Sequence, residues 1–85
     1  MLSGALAFAQ SRLVTGKVVD EKGAPVNGAS VIIKGTPRGV PAKAAGEFSI
    51  TAKPNDVLVI SATDYSKVEI KVGNENNLAV TLKPA

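Results

Sequence analysis

Short runs of alternating, β-branched residues, cut by glycine and proline at intervals of about ten residues, constrain this chain more than any other feature. Residues 13–20 (LVTGKVVD) are the first run. Side chains alternate across a strand, so Val14, Gly16 and Val18 share one face. A glycine inside such a run marks a place where another backbone or a bulky neighbour comes close, and Gly16 is read that way. Residues 21–25 (EKGAP) form a turn, with Asp20 capping it through its own backbone.

Residues 28–34 (GASVIIK) give a second strand, and Ile32 on its nominal outer face predicts that this face is partly covered. Residues 35–45 (GTPRGVPAKAA) carry two glycines and two prolines, which excludes a central strand. They are read as a loop holding a short edge strand around Val40, blunted by Pro37 and Pro41. Residues 46–52 place Phe48 and Ile50 inward. Residues 57–63 (VLVISAT) are almost continuously apolar, as the most buried strand of a sheet would be. In residues 65–72 Val68, Ile70 and Val72 point in; in residues 78–83 Leu78, Val80 and Leu82 do. Beyond the N-terminal residues no segment holds a 3.6-residue period. The expectation is an all-β, seven-stranded, two-sheet antiparallel sandwich.

With 85 residues there is material for one core, expected over residues 10–85. Residues 1–9 precede it: Ala7-Phe8-Ala9 before Gln10 fits the small-x-small pattern of a signal-peptidase site, so they are read as a signal-peptide remnant or a disordered tail. The net charge of +3 is spread along the chain, without the basic stripe and interleaved aromatics of a nucleic-acid reader. No stretch after residue 10 approaches the length of a membrane span, so direct membrane insertion is not expected either.

What is missing bounds the chemistry. There is no Cys and no His, hence no thiolate, no disulfide and neither of the usual zinc ligands. Ser and Thr nucleophiles need an activating base, and no Ser-x-x-Lys arrangement supplies one. The stretch Gly35-Thr36-Pro37-Arg38-Gly39 lacks the Gly-Lys-Ser/Thr ending of a phosphate loop. No catalytic residue, cofactor site or metal site is expected. A carbohydrate-binding or adhesion module is the alternative, but with no Trp the chain has poor material for a sugar platform.

From Val14 the residues carry a specific pattern: Val14-Thr15-Gly16-Lys17-Val18-Val19-Asp20, then Gly23-Ala24-Pro25-Val26, Gly28-Ala29-Ser30-Val31, Gly35-Thr36 and Gly39. Gly46-Glu47-Phe48-Ser49-Ile50 and Leu78-x-Val80-x-Leu82 extend it. Over residues 13–83 the chain resembles the carboxypeptidase-regulatory-like domain. The resemblance implies a transthyretin-like or Ig-like Greek-key sandwich without catalytic residues of its own. It also implies an exported, periplasmic or outer-membrane-associated setting, as the N-terminal extension of a TonB-dependent receptor that imports glycans or other nutrients. The partner would then be a protein surface or the rest of a larger envelope protein.

Two positions depart from the family pattern. Ala42-Lys43-Ala44-Ala45 stands where the family often has Thr-Asp before the glycine at Gly46, and Asp64 stands where it often has glycine. The turn into Tyr65 is therefore expected to differ. Three residues are candidates for interaction: Arg38 and Lys43, in the long Gly/Pro loop, and Tyr65, which is read first as a core or corner tyrosine with its hydroxyl at the rim. The final strand would accept another chain if it lies at a sheet edge.

Overall fold

Every strand but one in the computed structural model, which describes residues 11–85, coincides with an alternating run, and the exception is the short strand expected around Val40. The strands are β1 (Arg12–Val19), β2 (Ser30–Ile33), β3 (Gly39–Pro41), β4 (Glu47–Ala52), β5 (Val57–Ser61), β6 (Val68–Lys71) and β7 (Asn77–Thr81). No helix occurs among the described residues, so none is long and apolar enough to cross a membrane. The reading of residues 1–9 lies outside the described residues.

The strands form two sheets, ordered β4-β1-β7 and β3-β2-β5-β6. The seven-stranded all-β sandwich expected from the sequence is the fold observed. All pairings are antiparallel except one: β1 and β7 run parallel, with Lys17 beside Ala79 and Val18 beside Val80. First and last strands can pair this way because the rest of the chain forms the crossover between them.

The core lies between the sheets and is wholly apolar. Val14 and Val18 of β1, Phe48 and Ile50 of β4, Leu58 and Ile60 of β5 and Val80 of β7 all turn inward, as the alternation requires. No polar or charged residue is buried among the described residues, and no buried side-chain polar atom lacks a partner. β5 is an interior strand between β2 and β6, which accounts for its near-continuous apolar run.

Gly16 has its close neighbour. A Cβ there would stand 2.5 Å from Phe48 Cε2 and 2.8 Å from the Leu78 carbonyl oxygen. Asp20 does cap its turn, its Oδ1 accepting from the amides of Lys22 (2.9 Å) and Ala24 (3.0 Å). Ile32 is exposed, with only limited cover from within its own sheet. Its side chain leans over Gly39 of β3, where an added Cβ would meet Ile32 Cγ1 at 2.8 Å, and it remains 37% exposed.

The strand expected over residues 65–72 is shorter. Only Val68–Lys71 pairs with β5, while Tyr65 bridges to Pro84 and the Ser66 amide donates to the Lys83 carbonyl at 2.8 Å. Asp64 adopts a φ of 72°, so the turn takes a left-handed conformation at the position where glycine is usual in the family.

Candidate interaction surfaces

With an apolar core, the described residues offer their outside: two sheet faces, four edge strands and the turns. Among the described residues no group of His, Cys, Asp and Glu is placed to hold a metal ion.

Arg38 and Lys43 flank β3 and both serve the edge of β4. The amide of Val18 donates to the Gly46 carbonyl at 2.7 Å, which fixes the ladder phase: Phe48 and Ile50 turn their backbone to β1, while Glu47, Ser49 and Thr51 turn theirs outward. The Lys43 amide occupies the Glu47 carbonyl at 2.8 Å. The Arg38 guanidinium occupies the Thr51 carbonyl, Nη2 donating at 2.7 Å. A shallow groove runs here between Leu13, Pro37, Arg38, Val40 and Thr51, and Leu13 is 59% exposed.

Tyr65 lies elsewhere. It is half-buried against the core at the β5–β6 turn, beside Pro84 and the Asp20–Lys22 turn. The three candidate residues thus do not converge on one site. Arg38 and Lys43 share one long side of the sandwich, and Tyr65 marks the end where the chain from β7 crosses to β6.

One functional contact, that of Arg12, was not singled out in the sequence. Arg12 holds the β6–β7 turn: Nε donates to Asn76 Oδ1 at 2.7 Å, and Nη2 donates to the carbonyls of Gly73 and Glu75. An Arg at a strand start carries no signal for a partner 64 residues away. The final strand does lie at a sheet edge, the condition under which it was expected to accept another chain. The Thr15 amide donates to the Asn76 carbonyl and the Leu82 amide to the Val19 carbonyl, each at 2.8 Å. Even-numbered residues of β7 therefore face β1, and Asn77, Ala79 and Thr81 direct their N–H and C=O groups away from it. No hydrogen bond from the described residues reaches those outward groups.

The model of the CarboxypepD_reg-like domain matches residues 14–85. The TonB-dependent receptor SusC of Bacteroides thetaiotaomicron is 40% identical over 72 residues, covering 85% of this chain. TonB-dependent receptor P26 of Formosa agariphila is 36% identical over 73 residues, covering 86%. The chain spans 7% of the length of either receptor. Among solved structures, a chain of a type II Cohesin-X-Dockerin complex from Acetivibrio cellulolyticus superposes with a TM-score of 0.62 at 20% identity. That match covers 81% of this chain and 51% of the other. The 3-chlorocatechol 1,2-dioxygenase of Rhodococcus opacus 1CP also gives 0.62, at 11% identity, over 91% of this chain and 60% of the enzyme. Likeness at such identity is a likeness of fold, shared by proteins of unrelated function.

Proposed function

The chain belongs to the CarboxypepD_reg-like domain family, and from that membership we propose that it is a non-catalytic accessory domain of a TonB-dependent receptor. It sits in the periplasm, ahead of the transport machinery, as an N-terminal extension of a receptor that imports glycans or other nutrients. Its role is to meet a protein surface: another part of the receptor or a component that works with it.

The observation that carries this reading is the 40% identity to SusC over a stretch that is 7% of that receptor. A module so small within so long a polypeptide is an appendage to the transport body. The surface chemistry agrees. Among the described residues it consists of backbone edges, a shallow groove and dispersed charges.

A segment exchange tests it. The stretch of SusC that aligns with residues 14–85 is deleted, or replaced by residues 14–85 of this chain, and growth on the receptor's own substrate is followed with receptor abundance held equal. Deletion is expected to slow import and the exchange to restore it. Undiminished import after deletion would sink the proposal.

A further inference from the structure

Edge strands invite pairing with other chains, and folded proteins blunt them. Three of the four edges here are blunted. β3 is three residues long, ends in Pro41 and follows Pro37. β4 has its outward carbonyls at Glu47 and Thr51 taken by the Lys43 amide and Arg38. β6 turns Glu69 and Lys71 outward, and Glu69 is ion-paired with Lys34 at 3.2 Å.

β7 has none of these devices. Its outward residues, Asn77, Ala79 and Thr81, are small and uncharged, their side chains are exposed, and their backbone groups have no partner among the described residues. β6 and β7 lie at the same long side of the sandwich without meeting, joined only at one end by the bonds of residues 64–66 to residues 83–85. Between them Leu78, Val68 and Ile70 point toward the core and are only half-buried. This side is thus an unfinished sheet edge above a partly open apolar strip.

We propose that the β7 edge accepts an extended segment of the same, longer polypeptide, added as a further strand of the β4-β1-β7 sheet. The reading as a receptor domain supplies the length of chain beyond these residues; the pairing itself stands on the edge. Side-chain alternation fixes the chemistry of the incoming strand. One face must be apolar, to cover Leu78, Val68 and Ile70. The other lies beside Lys17, which stands next to Ala79, is exposed, and has no ion pair among the described residues although Glu47 of β4 is its partner in register. Lys83, exposed after buried Leu82, continues that face beyond Thr81, while Glu69 and Lys71 belong to the outer face of the opposite sheet. The fitting segment therefore alternates apolar and acidic residues.

Magnitude selects the source. Five residues of β7 offer few hydrogen bonds, and ordering the incoming segment cancels most of their benefit. Between separate molecules such pairing is weak. A tethered segment is held at an effective concentration of about a millimolar, enough to populate it.

Two measurements test the inference. In the first, the isotope-labelled 85-residue chain is titrated with a short, end-blocked peptide alternating Val and Glu, and with its Val/Lys counterpart. The Val/Glu peptide is expected to shift the amides of Asn77, Ala79 and Thr81 and to saturate at about millimolar concentration. Ala79→Pro removes only an outward N–H and is expected to weaken binding at least about tenfold, and Lys17→Glu to reverse the peptide preference. The Lys17 variant keeps the test decisive if the proline variant unfolds. Shifts on β3 or β6, no saturation, or equal binding of both peptides would overturn the inference. In the second, the receptor exchange described above carries a photoreactive phenylalanine analogue in place of Asn77. An adduct within the receptor's own chain is expected whether or not the exchanged receptor imports. An adduct only to a separate protein or a second copy, or none, would overturn the tethered source.

Discussion

Phe48 and Gly16 face each other across the β1–β4 ladder, and the phenylalanine ring lies directly over the glycine α-carbon. The ring covers the backbone that a glycine leaves bare, and the glycine gives the ring room to lie flat within the core. Gly16→Ala places a methyl 2.5 Å from Phe48 Cε2 and 2.8 Å from a carbonyl oxygen that is not free to retreat. The expected loss is about 1–3 kcal/mol, as for other overpacked cores. Urea unfolding of Gly16→Ala, Phe48→Leu and the double variant checks it. The coupling is expected to be favourable in the double variant, since the smaller side chain relieves part of the clash. Strict additivity would show that the two residues do not meet.

Burial separates two large apolar residues on neighbouring strands. Phe48 is 3% exposed and Leu13 is 59% exposed. Phe48→Ala is expected to cost about 3–5 kcal/mol, a large share of the stability of a chain of 85 residues. Leu13→Ala is expected to change stability by less than about 0.5 kcal/mol. Thermal unfolding of both variants reads the contrast directly.

The local facts of this fold were legible because their causes are local. Alternation in residues 13–20, 46–52 and 78–83 put the correct side chains inward, Gly16 announced a close approach, and Asp20 before Glu21-Lys22-Gly23 announced a capped turn. The short strand around Val40 follows from Pro37 and Pro41. What could not be read depends on pairing across long separations. Nothing near Asn77 says that β7 lies parallel to β1 at a sheet edge, and nothing near Arg38 says that its guanidinium reaches Thr51. Tyr65 to Lys67 has the alternation of a strand, yet Ser66 bonds Lys83 while β5 pairs only with Val68–Lys71. The β7 edge is a property of topology, so sequence gives only its condition, an uncharged alternation at Asn77, Ala79 and Thr81.

Arg38 shields an edge as well as standing in a loop. Arg38→Ala frees the Thr51 carbonyl and is expected to cost about 0.5–1 kcal/mol, the net worth of one exposed hydrogen bond. The larger expected effect is on association. With the β4 edge partly uncovered, concentrated solutions of the variant should show more dimer by sedimentation velocity than the parent chain. An unchanged monomer would show that Pro37, Pro41 and Lys43 protect this side without it.

Asp20, half-buried at the surface, is a second residue with a defined structural task. Its Oδ1 accepts from two amides, those of Lys22 and Ala24. Asp20→Ala leaves both without that acceptor and is expected to cost about 1 kcal/mol. Asp20→Asn retains an acceptor oxygen and should recover most of the loss. Denaturant midpoints of the two variants give the comparison, and equal losses would refute the turn-capping role.

Asp64 occupies the left-handed region at a φ of 72°, one of two non-glycine residues among those described to do so, with Asn55. Asp tolerates this conformation better than most residues, because its short side chain can bond locally, but a Cβ still crowds the following carbonyl. The turn matters because it sets Tyr65 against Pro84 and lets the Asp64 carbonyl accept from the Ala85 amide at 3.0 Å, the contacts that close one end of the sandwich. Asp64→Gly removes the crowding at the expense of a more flexible unfolded chain, so its net effect is expected to be small, from neutral to about 1 kcal/mol stabilising. Asp64→Val, branched at Cβ and unable to bond its own backbone, is expected to lose about 1–2 kcal/mol and to loosen the crossing at Tyr65. Hydrogen exchange at the Ser66 and Ala85 amides separates the two: protection should hold in the glycine variant and fall in the valine variant. If both variants lose protection alike, the aspartate side chain rather than its backbone conformation holds the turn.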